Sequence, residues 1–264
     1  MAGEAEAREN FSIGQVFSRG FGVIVDNPLP VLGISFLFGA LPSMLVNYFF
    51  QPAQQLLQMD RDQVYGFFAL YFGSLLLSIV LQAFVQGSLV RATMAYTRNE
   101  RATFGECVSA SLAVLPALVV LAILLGLATM IAFMFFFVPG IMLYIMWAVA
   151  SPALVAERTG VFGAFGRSRY LTRGLRWRVF GVEAILLFVY MIFATALTQT
   201  LFAIGGADLT TLATTGLSPG WIISTTLSAT VINTVWSTVQ TSLYVELRNA
   251  KEGFPEESLA EIFA

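Results

Sequence analysis

The chain of 264 residues is 57% hydrophobic and only 11% charged, with a mean hydropathy of +0.78, whereas a water-soluble domain carries roughly 25% charged residues, so the bilayer is the main solvent. Histidine is absent and Cys107 is the only cysteine, which excludes imidazole metal sites, His-assisted nucleophiles, Cys-rich clusters and internal disulfides. A net charge of -2 hides strong sorting, with basic residues gathered at helix ends and several acids in the two termini.

Residues 1–10 are acidic and polar, lack the pattern of a secretory signal or a myristoylation site, and are expected to form a disordered cytoplasmic tail. Phe11, Ile13, Val16, Phe17, Phe21 and Ile24 then recur at helical spacing, the pattern of a short interfacial amphipathic helix. Asn27 and Pro28 read as a helix start, and the uncharged run 28–50 is long enough to cross a hydrocarbon core of about 30 Å. A polar loop with Asp60, Arg61 and Asp62 leads to a second crossing, 66–90, which closes on Arg91, Arg98 and Arg101. A semi-polar stretch follows, from Ala102 to Leu112. The uncharged run beyond it is too long for one crossing, and Pro139-Gly140 divides it into a third, 109–137, and a fourth, 140–157.

Glu157 to Glu183 reads ERTGVFGAFGRSRYLTRGLRWRVFGVE and holds six arginines, with no acid between its end glutamates. Basic residues near helix ends resist translocation, so this island faces the cytoplasm. The fifth crossing, 177–204, carries Glu183 in its first turns. A loop without basic residues, 205–220, precedes the sixth crossing, 221–247, which ends at Arg248 and Lys251, and 254–264 forms a cytoplasmic tail. Of the 14 basic residues, all but Arg61 then lie inside, with both chain ends cytoplasmic.

The expected fold is therefore all-α and polytopic: six transmembrane helices over 11–253 as three hairpins. Each hairpin is preceded by a short interfacial helix opening at Ser12-Ile13-Gly14, Thr103-Phe104-Gly105 or Val161-Phe162-Gly163. Such units are parallel repeats around a pseudo-threefold axis along the membrane normal.

Gly166-Arg167-Ser168-Arg169-Tyr170-Leu171-Thr172-Arg173-Gly174 with Trp177-Arg178-Val179-Phe180-Gly181 resembles the loop of YciC-like bacterial membrane proteins and of the membrane domain fused to glycerophosphoryl diester phosphodiesterases. Val138-Pro139-Gly140-Ile141, Tyr244-Val245-Glu246-Leu247-Arg248 and Lys251-Glu252-Gly253 fit the same pattern. The resemblance covers about residues 130 to 253 and extends to the first half only by architecture. It implies a bacterial inner-membrane protein of six helices. It implies no phosphodiesterase activity, because in the fused proteins that chemistry belongs to a separate soluble domain.

No phosphate loop, metal-spaced cluster or nucleophile–base pair is present, so the chain is expected to be non-catalytic, without metal or cofactor; a basic island lying against the membrane and a pI near 5.2 argue against nucleic acid. Two candidate sites remain. A cytoplasmic collar of Arg167, Arg169, Arg173, Arg176, Trp177 and Arg178 suits membrane lipids, anionic headgroups among them, or a partner protein or second copy, in envelope or lipid homeostasis. Its arginines also serve topology alone, as snorkelling anchors. The alternative is a transporter or channel with a polar path along the sixth crossing and Glu183. There Thr226, Thr230, Asn233, Thr234, Ser237, Gln240 and Thr241 form a stripe, with Gln82 and Gln86 as partners across the bundle. Interhelical hydrogen bonding alone also accounts for such a stripe, and an ion pair with Arg91 or Arg98 for Glu183.

Overall fold

The computed structural model describes residues 11–49, 60–205 and 219–253. The two expected tails, the core of the first outer loop and nearly all of the second lie outside the described residues. Among the described residues the chain is helical throughout, without strands.

Helix α1, Ile13–Asp26, starts where the Ser12 hydroxyl accepts the Gln15 N–H, and it buries Val16, Gly20 and Val23 on one face. The next segment is built in three pieces: α2, Pro28–Ile34, a π turn, Ser35–Ala40, and α3, Leu41–Phe49. Pro42 explains the wide turn. A proline ring has no N–H and clashes with the carbonyl four residues back, and an inserted residue relieves both. The Leu41 N–H accordingly reaches back five residues to the Phe36 carbonyl.

Helix α4, Arg61–Thr97, and helix α5, Phe104–Phe135, each begin with a reciprocal capping box, Asp60 with Gln63 and Thr103 with Glu106. The box at Thr103 has a consequence for the expected collar. Ala102 to Leu112 is no separate interfacial helix, because the cap starts a helix that runs unbroken into the apolar segment. Only Phe136 is extended between α5 and α6, Phe137–Trp147. The turn thus precedes Pro139, which occupies the first turn of α6, where its missing N–H has no intrahelical partner to lose.

The segment after α6 is broken at Ala148-Val149 before α7, Ala150–Glu157. Pro152 accounts for this break, since its nitrogen cannot donate to the Ala148 carbonyl. Left-handed Arg158, at φ 51°, caps α7 and turns the chain into α8, Gly160–Thr172. Helices α9, Arg176–Gly205, and α10, Pro219–Glu252, complete the bundle.

Five segments are long and apolar enough to cross a membrane: Pro28–Val46, Gln63–Thr97, Phe104–Phe135, Phe137–Glu157 and Arg176–Leu197. The chain is a multi-pass membrane protein. Helix α10 is longer than most of these, at 34 residues, but its threonines and serines make it much more polar. Its polar face is buried instead, with Thr226, Thr230, Thr234, Thr238, Gln240 and Thr241 all withdrawn from the surface.

The core lies at the arginine-rich end. Val16, Leu171, Leu175, Val179, Leu243, Tyr244 and Leu247 join α1, α8, α9 and α10 there. Val23, Ile34, Leu89 and Cys107 form a second cluster, and Leu118, Leu121, Leu154 and Ala164 a third. Toward the opposite end α4 exposes Tyr65, Phe68, Leu70 and Phe72, and α5 and α6 expose Met134 through Val138. Apolar side chains on helices with internally satisfied backbones are what a lipid-facing surface requires.

Candidate functional site

Polar side chains from four helices meet inside the bundle. A cavity of about 450 Å³, a cleft open on one side, is lined by exposed Gln82 and half-buried Gln86 of α4, Tyr144 of α6, Ser151 of α7, and Asn233, Trp236 and Gln240 of α10, with the exposed Leu187 and Tyr190 of α9 along one wall. Ala148, at the break between α6 and α7, also lines it. The volume is that of a small-molecule site.

Glu183 stands behind this wall. It is 6% exposed, and its Oε2 accepts the Tyr144 hydroxyl at 3.0 Å. The Gln240 side chain lies close to both groups. Neither Arg91 nor Arg98 reaches Glu183, which makes no ion pair among the described residues. Its other oxygen, Oε1, has no hydrogen-bond partner among the described residues.

Amide pairs continue the network. Gln86 Nε2 donates to Gln240 Oε1 at 3.2 Å, and Gln82 Nε2 donates to Asn233 Oδ1 at 3.4 Å. The two glutamines of α4 therefore meet the polar face of α10 across the cavity. A smaller space of about 50 Å³ adjoins them at Ser237, whose buried Oγ is unpartnered. Room and polar groups together suit a single water there.

The stripe on α10 divides into two faces with different roles. Thr230, Thr234 and Thr238 return their hydroxyls to the carbonyls of Thr226, Thr230 and Thr234, one turn back. Only Thr234 in this row also bonds to another helix, pairing its Oγ1 with Ser35 Oγ at 2.7 Å in the π turn. This row packs rather than lines. Asn233, Trp236, Ser237 and Gln240 occupy the other face, toward the two cavities.

The collar residues are not equivalent. Arg167 is held between Glu157, at 2.8 Å, and Glu252. Its guanidinium is raised above the usual arginine range, first by the Glu252 hydrogen bond. Glu252 is correspondingly held below the usual carboxylate range by Arg167. Arg178 donates to the Phe11 carbonyl at 2.7 Å and lies over the Phe11 ring. Arg176 is half-buried, with its Nε unpartnered. Arg169, Arg173 and Trp177 are exposed, Trp177 at 85%. Arg167 and Arg178 thus hold the bundle together, while Arg169, Arg173 and Trp177 remain at its surface.

Two further features escape sequence reasoning. Glu246, 3% exposed, accepts the Ser12 N–H at 3.1 Å and pairs with Arg19 at 3.3 Å, tying α1 to α10. The second is the Met146 carbonyl, accepting the Ser168 hydroxyl at 2.9 Å and the Thr172 hydroxyl at 3.3 Å. The break after Trp147 leaves that carbonyl without its ordinary helical donor, and α8 supplies the replacement. Pro152 was the available sequence signal for the break; nothing local pairs Glu246 with residues more than 200 positions away.

These features define a polytopic helical membrane protein with a polar cavity walled by a broken helix. No family model matches the chain, and no solved structure matches it.

Proposed function

We propose that this is a six-crossing membrane protein that binds a polar solute within its bundle, as transporters and solute-gated membrane proteins do. The sixth crossing is α10, whose hydroxyls mostly bond to its own carbonyls and whose amides meet those of α4. The arginine-rich end faces the cytoplasm of a bacterial inner membrane, in keeping with the basic-residue sorting and with the YciC-like resemblance. The three hairpins read as related units, although only the first and third have a separate preceding helix, α1 and α8.

One observation carries the reading: amides from two helices and a phenol backed by a buried carboxylate converge on a cavity of about 450 Å³, beside a helix break. Sites of this kind in membrane proteins are built on discontinuous helices. A buried carboxylate without a partner cation is expensive inside a bilayer, which supports function over packing.

Water access tests it. With Cys107 replaced by Ala, Asn233→Cys and Gln240→Cys should react with a charged, water-soluble methanethiosulfonate reagent in intact vesicles. Ile192→Cys, on the exposed apolar face of α9 at 54% exposure, should not. Labelling at neither cavity position would refute the reading.

A second reading is favoured by exposed Arg169, Arg173 and Trp177, the combination that anchors anionic lipid headgroups. Native mass spectrometry of the protein released from its own membrane should show anionic lipid or a partner protein that Arg169→Gln/Arg173→Gln loses. Arg167 is left in place because its charge is consumed by two acids. An identical spectrum for the variant would remove this reading.

A further inference from the structure

We infer that the intramembrane cavity takes an organic cation bearing N–H groups, such as a protonated amine; the inference rests on the cavity reading above and names its ligand class. The argument follows hydrogen-bond polarity outward from Glu183. Its carboxyl takes the Tyr144 proton, so the phenol oxygen meets the cavity as an acceptor. Beside it, Gln240 Oε1 accepts from Gln86 Nε2. With that N–H engaged, the Gln86 carbonyl oxygen is left to face the remaining space. The phenol oxygen and the Gln86 carbonyl are thus two acceptors on the cavity wall nearest the carboxyl.

Charge points the same way. Glu183 has no partner cation among the described residues, so positive charge in the cavity, one phenol away from its carboxyl, is favoured. Low dielectric strengthens that attraction through the intervening phenol. Trp236 and Tyr190 contribute aromatic surface to the same wall, and the faces of such rings attract cations. Asn233, whose Oδ1 accepts from Gln82, has N–H groups left for a neutral acceptor on the ligand, while an anion would meet the field of the carboxyl behind Tyr144.

The test is titration calorimetry of the protein in lipid nanodiscs, with empty nanodiscs as the blank, using three probes of one shape. Phenethylammonium carries charge and N–H groups, its N-trimethyl derivative carries charge alone, and 2-phenylethanol carries neither the charge nor the amine. Phenethylammonium should bind saturably, about tenfold or more tighter than the other two, the size of effect for charge-assisted hydrogen bonds. Glu183→Gln should bring the amine down to the affinity of the alcohol while leaving the alcohol unchanged, a change in selectivity that a merely structural role would not produce. Tyr144→Phe should remove the same preference, and the three-probe comparison on the unmodified protein needs no variant to fold.

Equal binding of amine and alcohol, or an unchanged ratio in a folded Glu183→Gln protein, would overturn the inference. If Asn233→Cys is nonetheless labelled from water, the cavity reading survives that result. Absence of both labelling and binding would overturn the two together.

Discussion

Helices α1 and α10 touch where buried Gly20 meets Val239, and this contact supports a quantitative prediction. A Cβ at position 20 would sit 2.8 Å from Val239 Cγ2, 3.2 Å from its Cα and 3.3 Å from its N. The first distance is a clash with a β-branched side chain that has little rotamer freedom, and the other two lie against backbone. Gly20→Ala must therefore push α1 away from α10. Overpacking of this kind costs about 1–3 kcal/mol, offset by about 0.5–1 kcal/mol from replacing glycine inside a helix, for a net loss of up to about 2.5 kcal/mol. The displacement also stretches the Ser12 and Arg19 bonds to Glu246, which belong to the same helix pair. Val239→Ala removes the nearest atom but leaves the backbone contacts. The double variant should accordingly be more stable than the sum of the two single losses by about 1 kcal/mol. Reversible unfolding in mixed detergent micelles, run as a double-mutant cycle, measures that coupling. Additive losses, or a stabilised Gly20→Ala protein, would refute close packing of α1 on α10 as the cause.

The remaining predictions concern the charged end. Glu246→Gln should lower the unfolding midpoint by an amount equivalent to about 2–4 kcal/mol, because the Ser12 N–H and the Arg19 guanidinium bond to different carboxylate oxygens, and the amide turns one of these into a donor and removes the charge opposite Arg19; an unchanged midpoint would show the pair to be incidental. Glu252 has its folded pKa below its ordinary value because Arg167 bonds its charged form. Its contribution to stability is thus complete above the unfolded pKa, near 4.5, and is lost as pH falls through the lower folded value. Acid titration of stability should show a decline below about pH 4.5 that is smaller in Glu252→Gln, and superimposable curves would contradict it.

Much of the architecture was legible because bilayer physics writes it in one dimension. Arg98, Glu157 and Arg158 stand at helix ends, whereas α4 runs six residues past Arg91 and α10 four past Arg248; the partners Gln82 and Gln86 could be matched to α10 because amides avoid lipid. Misread elements came from local chemistry that a hydropathy pattern does not resolve. Thr103 and Glu106 look like a polar stretch but form a capping box that fuses the expected second collar helix to α5. Pro139-Gly140 is a stronger turn signal than Phe136, yet proline belongs inside the first turn of a helix as readily as in a loop. Glu183 looked for an arginine and found a phenol, a pairing that depends on how α6 and α9 are rotated. The collar arginines were equivalent in sequence and became distinct only when Glu157 and Glu252, far apart in the chain, closed on Arg167.

The polarity of α10 bears on how the chain enters its membrane. A helix rich in threonine, with Asn233 and Gln240 on one side, gains little by partitioning alone into hydrocarbon, and it follows five segments that partition readily. Its side chains find partners on other helices at Ser35 in the π turn and at Gln82 and Gln86 on α4. In the six-crossing arrangement proposed above, insertion of α10 and closure of the bundle become one event, with the polar chamber formed as its last wall moves sideways against its neighbours rather than against lipid.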